Sequence, residues 1–243
     1  MKILALDSSG LVASVAIIEE EEMIAEYTVN YKKTHSQTLL PMIDEVARMI
    51  NLDLASIDAI AVPAGPGSFT GLRIGAASAK GLGLALDKPL IAVPTLAALA
   101  YNLYGAEALI CPMMDARRNQ VYTGVYYFKD GDMETLKEQC AEDIEETIAY
   151  LNKEKHPVIF LGDGVPVYQN VINEKMQGEY SFAPAHLNRQ RAGALGALAK
   201  IYHAQGKSIS ADKYRPDYLR LSQAEREKAE KEKMDASSTR DDS

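Results

Sequence analysis

An α/β protein built from two related halves is what this sequence predicts, on three observations. A strand ending in an acid and a turn opens each half: KILALD running into SSG, and ALICPMMD running into ARRN. Segments of period two alternate with segments of period 3.6 along the chain. With 47% hydrophobic residues, 243 positions are enough for two substantial cores.

The elements follow in order. KILALD is a strand closed by Asp7, LVASVAII alternates as a second, EEEE fits a polar hairpin end, and MIAEYTV returns as a third. From His35 to Ile50 the period changes, because Leu39, Ile43, Val46 and Ile50 share one helical face; Pro41 sits near its start. DAIAV is a short buried strand, a glycine-rich loop follows, and Thr70 to Leu86 is a helix. LIAV is a further strand, and PTLAALAYNLYG is a helix opening on proline and closing on glycine. In the second half, QVYTGVYYF alternates as a strand, AEDIEETIAYL is helical, PVIFLGDG is a strand, and Val165 to Lys175 is a helix. RAGALGALAKIYHAQG is the last helix, with Gly206 as its C-cap. The final SQAEREKAEKEKMDASSTRDDS is charged and nearly free of apolar residues, so it buries no face. These readings set an N-terminal lobe at 1–106, a C-terminal lobe at 107–221 and a charged tail at 222–243.

Composition narrows the function. A net charge of −8 gives no electrostatic footprint for holding nucleic acid unaided. Two cysteines, Cys111 and Cys140, make neither a disulfide framework nor a metal-ligand spacing, which points to a reducing compartment. The apolar run of MKILALD is too short for a signal sequence, and no later run is long enough to cross a membrane. A cytoplasmic location is the expectation.

Asp7 and Asp115 each end a strand at the head of a half. In the actin-like, hexokinase-like ATPase architecture that is where paired phosphate loops meet Mg–ATP, the acid holding the hydrated metal. The plainer reading is that each aspartate caps its own turn. None of the four histidines has an i, i+4 histidine partner, and no GxSxG elbow is present.

The glycine-rich stretch PAGPGSFTGLRIG, residues 63–75, meets a helix N-terminus as a phosphate cradle does. It lacks the GK[ST] of a P-loop and the spacing of GxGxxG. In the helix behind it Gly71, Gly75, Ala79 and Gly83 recur every four residues, and each mid-helix glycine costs about 1 kcal/mol against alanine. Such a stripe needs a close neighbour, either the chain's own sheet or the helix of another chain. Periodicity does not choose between them.

GPGSFTGLRIG at 65–75, with MKILALDSS, HSQTLLPMI at 35–43, MDARRNQVY at 114–122 and PDYLR at 216–220, resembles the TsaB (YeaZ) family across all but the tail. The resemblance implies a two-lobed actin-like ATPase fold (ASKHA, ribonuclease H-like), with duplicated mixed sheets flanked by helices. It implies a non-catalytic partner in synthesis of N6-threonylcarbamoyladenosine at adenosine 37 of tRNA. That partner pairs with a TsaD-like transferase subunit through N-terminal-lobe helices. A TsaE-like ATPase docks on the pair, tRNA is reached only through the complex, and the free protein can form a homodimer. Mapped here, the partner interface is expected at Leu39, Met42, Ile43, Val46, Gly71, Leu72, Gly75, Ala76, Ala79 and Gly83. Gly75→Leu and Ala79→Leu are then expected to block pairing and spare the fold. TsaD-like subunits carry a helical histidine pair for metal; here His35 is kept and Leu39 replaces the second, so no metal is expected. DSSG at 7–10 departs from a DTS-like pattern but keeps the hydroxyl. A residual nucleotide site would draw on Asp7, Ser8, Ser9, Gly65, Gly67, Ser68, Asp115, Gly162, Asp163 and Gly164. No cofactor is expected, weak ATP or ADP and Mg²⁺ binding within the complex being the alternative. Against the scaffold stand two enzyme readings, an actin-fold kinase and a glycoprotease-like metallopeptidase, for which no base or ligand set is visible.

Overall fold

The computed structural model describes residues 1–31 and 35–219. In chain order the elements are β1 (Lys2–Asp7), β2 (Ala13–Glu19), β3 (Glu22–Val29), α1 (His35–Met49), β4 (Ala59–Gly65), α2 (Phe69–Leu86), β5 (Leu90–Pro94) and α3 (Thr95–Ala100). There follow β6 (Leu109–Asp115), β7 (Gln120–Lys129), β8 (Asp132–Asp143), α4 (Ile144–Glu154), β9 (Val158–Leu161), α5 (Val165–Lys175), β10 (Tyr180–Phe182), α6 (Ala192–Ala204) and β11 (Ser208–Ile209).

Two mixed sheets result, and they repeat one topology. The first runs β11-β5-β4-β1-β2-β3 and the second β10-β9-β6-β7-β8. In each, an antiparallel meander of three strands is extended by two parallel strands beside its first member. The self-similarity of the two strand-acid-turn openings is thus the visible part of a full duplication.

Alternation along the strands builds the layers. Leu4 and Leu6 face α1 and α2, contributing with Leu39, Ile43, Val46, Ala76 and Ala79 to one core. Ile3 and Ala5 face the other way, into a core shared with α3, α6 and, from the second sheet, Ile110, Met114 and Leu161. The outer face of the second sheet carries Cys111, Met113, Val125 and Phe160 against α4 and α5. The order of layers is α1/α2, first sheet, α3/α6, second sheet, α4/α5.

Two departures from the sequence reading matter. α6 packs on β1, β2 and β5, and β11 pairs with β5, so residues 192–209 complete the first sheet rather than belonging to a C-terminal lobe at 107–221. The link is specific: the Ala192 amide donates to Ser14 Oγ at 2.9 Å, and Arg191 Nε donates to Glu26 at 3.0 Å. Second, AEDIEETIAYL is not helical throughout. β8 runs to Asp143, whose carboxylate then accepts from the Glu145 amide at 2.8 Å and starts α4. β8 is a polar edge strand, so it carries little of the hydrophobic alternation by which strands are recognised. The charged tail expected at 222–243 lies outside the described residues.

Candidate functional site

The glycine-rich loop belongs to the turn between β1 and β2. Ser68 donates its amide to Ser9 O at 2.6 Å, and Ser8 Oγ donates to Gly71 O at 2.9 Å. Cβ atoms at Gly67 and Gly71 would overlap the carbonyl oxygens of Ser9 and Ser8, so only glycine allows this approach. Ser68 caps α2, its Oγ accepting from the Gly71 amide at 3.2 Å. Two donors that a phosphate cradle would offer to an anion are therefore engaged within the chain, the Ser68 amide on the β1–β2 turn and the Gly71 amide on the Ser68 cap.

The two candidate acids behave as turn caps. Asp7 is buried, and one of its oxygens accepts both the Ser9 amide at 2.8 Å and the Ser9 hydroxyl at 2.6 Å. Burial pushes its carboxyl up, against the lowering effect of those two bonds. Asp115 accepts the Arg117 amide at 2.9 Å and the Tyr168 hydroxyl at 3.1 Å. The phenol of Tyr168 is pushed up to about 12 by burial and by that carboxylate. In the GDG turn the Gly164 amide donates to Met113 O at 3.0 Å, and the Gly162 carbonyl accepts from Arg189 Nη1 at 3.0 Å. Gly65 ends β4 beside the Asp217 backbone, whose amide donates to Ala64 O at 2.6 Å.

Between the lobes lies a cleft of about 520 Å³, into which both acid turns open. Its titratable lining is acidic, Asp115, Asp163 and Asp217 against Arg117 and His35, and among the described residues no lysine lines it. Burial pushes the Asp163 carboxyl up while Arg189 pulls it back, and its Oδ1 is buried without a partner among the described residues. His35 bonds the Gly10 carbonyl through Nε2 at 2.8 Å, and Leu39 is buried in the core. Among the described residues no three His, Cys, Asp or Glu side chains converge as metal ligands. Asp7 is enclosed and already bonded, and the Ser68 and Gly71 amides of the loop are bonded within the chain.

The ten residues expected at a partner interface all turn inward. Leu39, Met42, Ile43, Val46, Gly71, Leu72, Gly75, Ala76, Ala79 and Gly83 are buried against their own chain. A Cβ at Gly75 would stand 2.6 Å from Ser8 Oγ, and one at Gly83 would stand 2.6 Å from Leu90 Cδ1. Gly75→Leu and Ala79→Leu would overpack the core rather than block a partner. What the helices present outward is a second set at the same spacing. Ala77, Gly81 and Ala85 are exposed on α2, with open space over Gly81, beside the exposed Leu84. On α1, Leu40 and Met49 stand 51% and 74% exposed. The 77, 81, 85 repeat is present in the sequence beside the glycine-richer stripe, and periodicity alone does not say which of the two faces outward.

Duplicated sheets, a shared core and a cleft between two acid turns define a two-lobed protein of actin-like architecture. A family model described as "TsaD: tRNA N6-adenosine threonylcarbamoyltransferase" matches residues 22–228. The tRNA threonylcarbamoyladenosine biosynthesis protein TsaB of Bacillus subtilis is 34% identical over 96% of this chain and 100% of its own length. Its Escherichia coli counterpart is 29% identical over 90% and 95%. YeaZ from Pseudomonas aeruginosa superposes with a TM-score of 0.77 at 31% identity, over 89% of this chain and 99% of that one. The chain belongs to the TsaB (YeaZ) family.

Proposed function

We propose that this protein is the non-catalytic partner subunit in threonylcarbamoyl transfer to adenosine 37 of tRNAs reading codons that begin with A. It docks on a TsaD-like transferase subunit and activates it. A TsaE-like ATPase joins the pair, tRNA is bound through the complex, and the cytoplasm is where it acts. Without its partner the same face makes a homodimer. Family membership supports the reaction; the relatives are named for this biosynthesis, and the matching family model is named for the transferase itself.

One observation supports the docking face: α2 exposes Ala77, Gly81, Leu84 and Ala85 along one side of the helix, and α1, packed beside it, exposes Leu40. Small residues let a partner helix approach closely, and large apolar residues beside them provide the area to bury. The enclosed Asp7 and the internally bonded Ser68 and Gly71 amides support a non-catalytic role for this subunit. Among the described residues no helix is long and apolar enough to cross a membrane.

Light scattering after size exclusion tests the reading on a mixture with the TsaD-like subunit of the same organism. The expected result is a one-to-one complex that restores modification in a reconstituted assay. Gly81→Leu, which fills open space in the free chain, is expected to abolish both and leave the fold intact. Two separate peaks for the parent protein, or a normal complex with Gly81→Leu, would overturn the docking face.

A further inference from the structure

After β11 the chain runs back along the whole length of α2 as a strap, from Ala211 to Leu219, that contains no helix or strand of its own. Its first anchor is at the C-terminal end of α2, where Ala211 is buried over Gly83. Lys80 Nζ then donates to the carbonyls of Asp212 and Tyr214, at 3.2 and 3.3 Å. Tyr214 is fully buried, and its hydroxyl donates to Pro63 O at 2.8 Å. The Asp217 amide donates to Ala64 O, and the Tyr218 ring meets Phe69 at 5.0 Å, at the first turn of α2. The strap thus touches the helix at its end, its middle and its start, and clamps the loop that leads into it.

α2 has reason to need such a clamp. It carries Gly71, Gly75, Gly81 and Gly83, each weakening a helix interior relative to alanine. Pro63 to Gly67, just before it, is held by the strap on one side and by the β1–β2 turn on the other. A helix of low intrinsic propensity that borrows its stability from an irregular segment does not open independently of that segment.

We infer that the strap and α2 form one cooperative unit, opening and closing together, so that residues remote from the outward face govern how α2 is presented. This control over docking rests on the function proposed above, because only a docking role gives the presentation of α2 a consequence. The cooperative unit itself is tested without any partner.

Amide hydrogen exchange is measured on the full chain for the parent, for Tyr214→Phe and for Lys80→Met. Tyr214→Phe removes the buried donor to Pro63 O and nothing else; Lys80→Met removes two surface-side anchors and is a milder change. The expected result is faster exchange across both 72–86 and 214–219 in either variant, by about fivefold to a hundredfold for Tyr214→Phe. Amides of β6 and β9 in the second sheet should stay within about twofold of the parent. Acceleration confined to 214–219, or spread equally over both sheets, would overturn the inference. Since Gly81→Leu tests pairing and these variants test exchange, a failed docking face and a failed strap give separate signatures.

Discussion

Two glycines in α2 should respond to the same small change with opposite signs. At Gly81 an added Cβ meets nothing within 4 Å. Gly81→Ala therefore gains the helix propensity of alanine, about 1 kcal/mol, with no steric cost. In a chain of 243 residues that raises the melting temperature by about 2–4 °C. At Gly71 the same Cβ lands on Ser8 O, a backbone atom. The neighbouring Ser8 hydroxyl is bonded to Gly71 O at 2.9 Å, so neither segment can retreat cheaply. Overpacking of this kind costs about 1–3 kcal/mol, and the pinned geometry puts it at the upper end. Offset by the propensity gain, Gly71→Ala should lose about 2 kcal/mol, or about 4–8 °C. Thermal unfolding followed by circular dichroism reads both. A neutral Gly71→Ala would refute the claim that the loop glycines serve close approach to the β1–β2 turn. A destabilised Gly81→Ala would refute the outward orientation of that stripe.

Asp7 holds its proton more tightly in the folded chain than in the unfolded one, because burial raises its pKa. Its contribution to stability therefore falls as pH rises from the unfolded value through the folded one, and stays lost above it. Asp7→Asn cannot ionise and should be more stable than the parent above that window, with no difference below it. Urea midpoints for both proteins from about pH 4 to 8 decide, and parallel curves would remove Asp7 as the source. The cysteines make a second prediction. Cys111 is fully buried and its thiol is pushed up to about 12, whereas Cys140 is partly exposed. An aromatic disulfide reagent should label Cys140 alone in the native protein and both thiols in denaturant. Early labelling of Cys111 would show that the second sheet opens readily.

How much of this was legible in the sequence depended on the range of the interaction. Period and turn chemistry located β1, β2, α1, β4, α2 and the two acid turns, because those signals are local. The sheet duplication showed only as two similar openings, since strand order depends on pairing between distant segments such as β1 and β4. In the candidate site, Asp7, Asp115 and the glycine-rich loop were found at the cleft, but not that their polar groups were already committed to Ser9, Arg117 and the β1–β2 turn. The stripe of Gly71, Gly75, Ala79 and Gly83 signals close packing in the sequence, but the resemblance assigns it to a partner, whereas its neighbours are the first sheet and the β1–β2 turn of the same chain. A helix offers faces of equal periodicity, and which one looks inward is fixed by Ser8, sixty-three positions from its Gly71 partner. The strap was invisible for the same reason: ADKYRPDYL has no periodicity of its own and is ordered by α2.

The return of α6 and β11 to the first sheet has a consequence for the order in which the molecule can be made. The second sheet is drawn from residues 109–182 alone, so it has all its strands as soon as that stretch is synthesised. The first sheet begins at Lys2 but waits for Ala192–Ile209 to cover the face of β1, β2 and β5 and to close the free edge of β5. The contact between Ser14 and Ala192 spans 178 positions. During vectorial synthesis the half born first is therefore finished last, with Ile3, Ala5 and Ile91 uncovered and an edge strand unpaired in the interval. Such a nascent chain is exposed to aggregation for the time between making β5 and releasing α6, and it is in that interval that a chaperone would have something to hold.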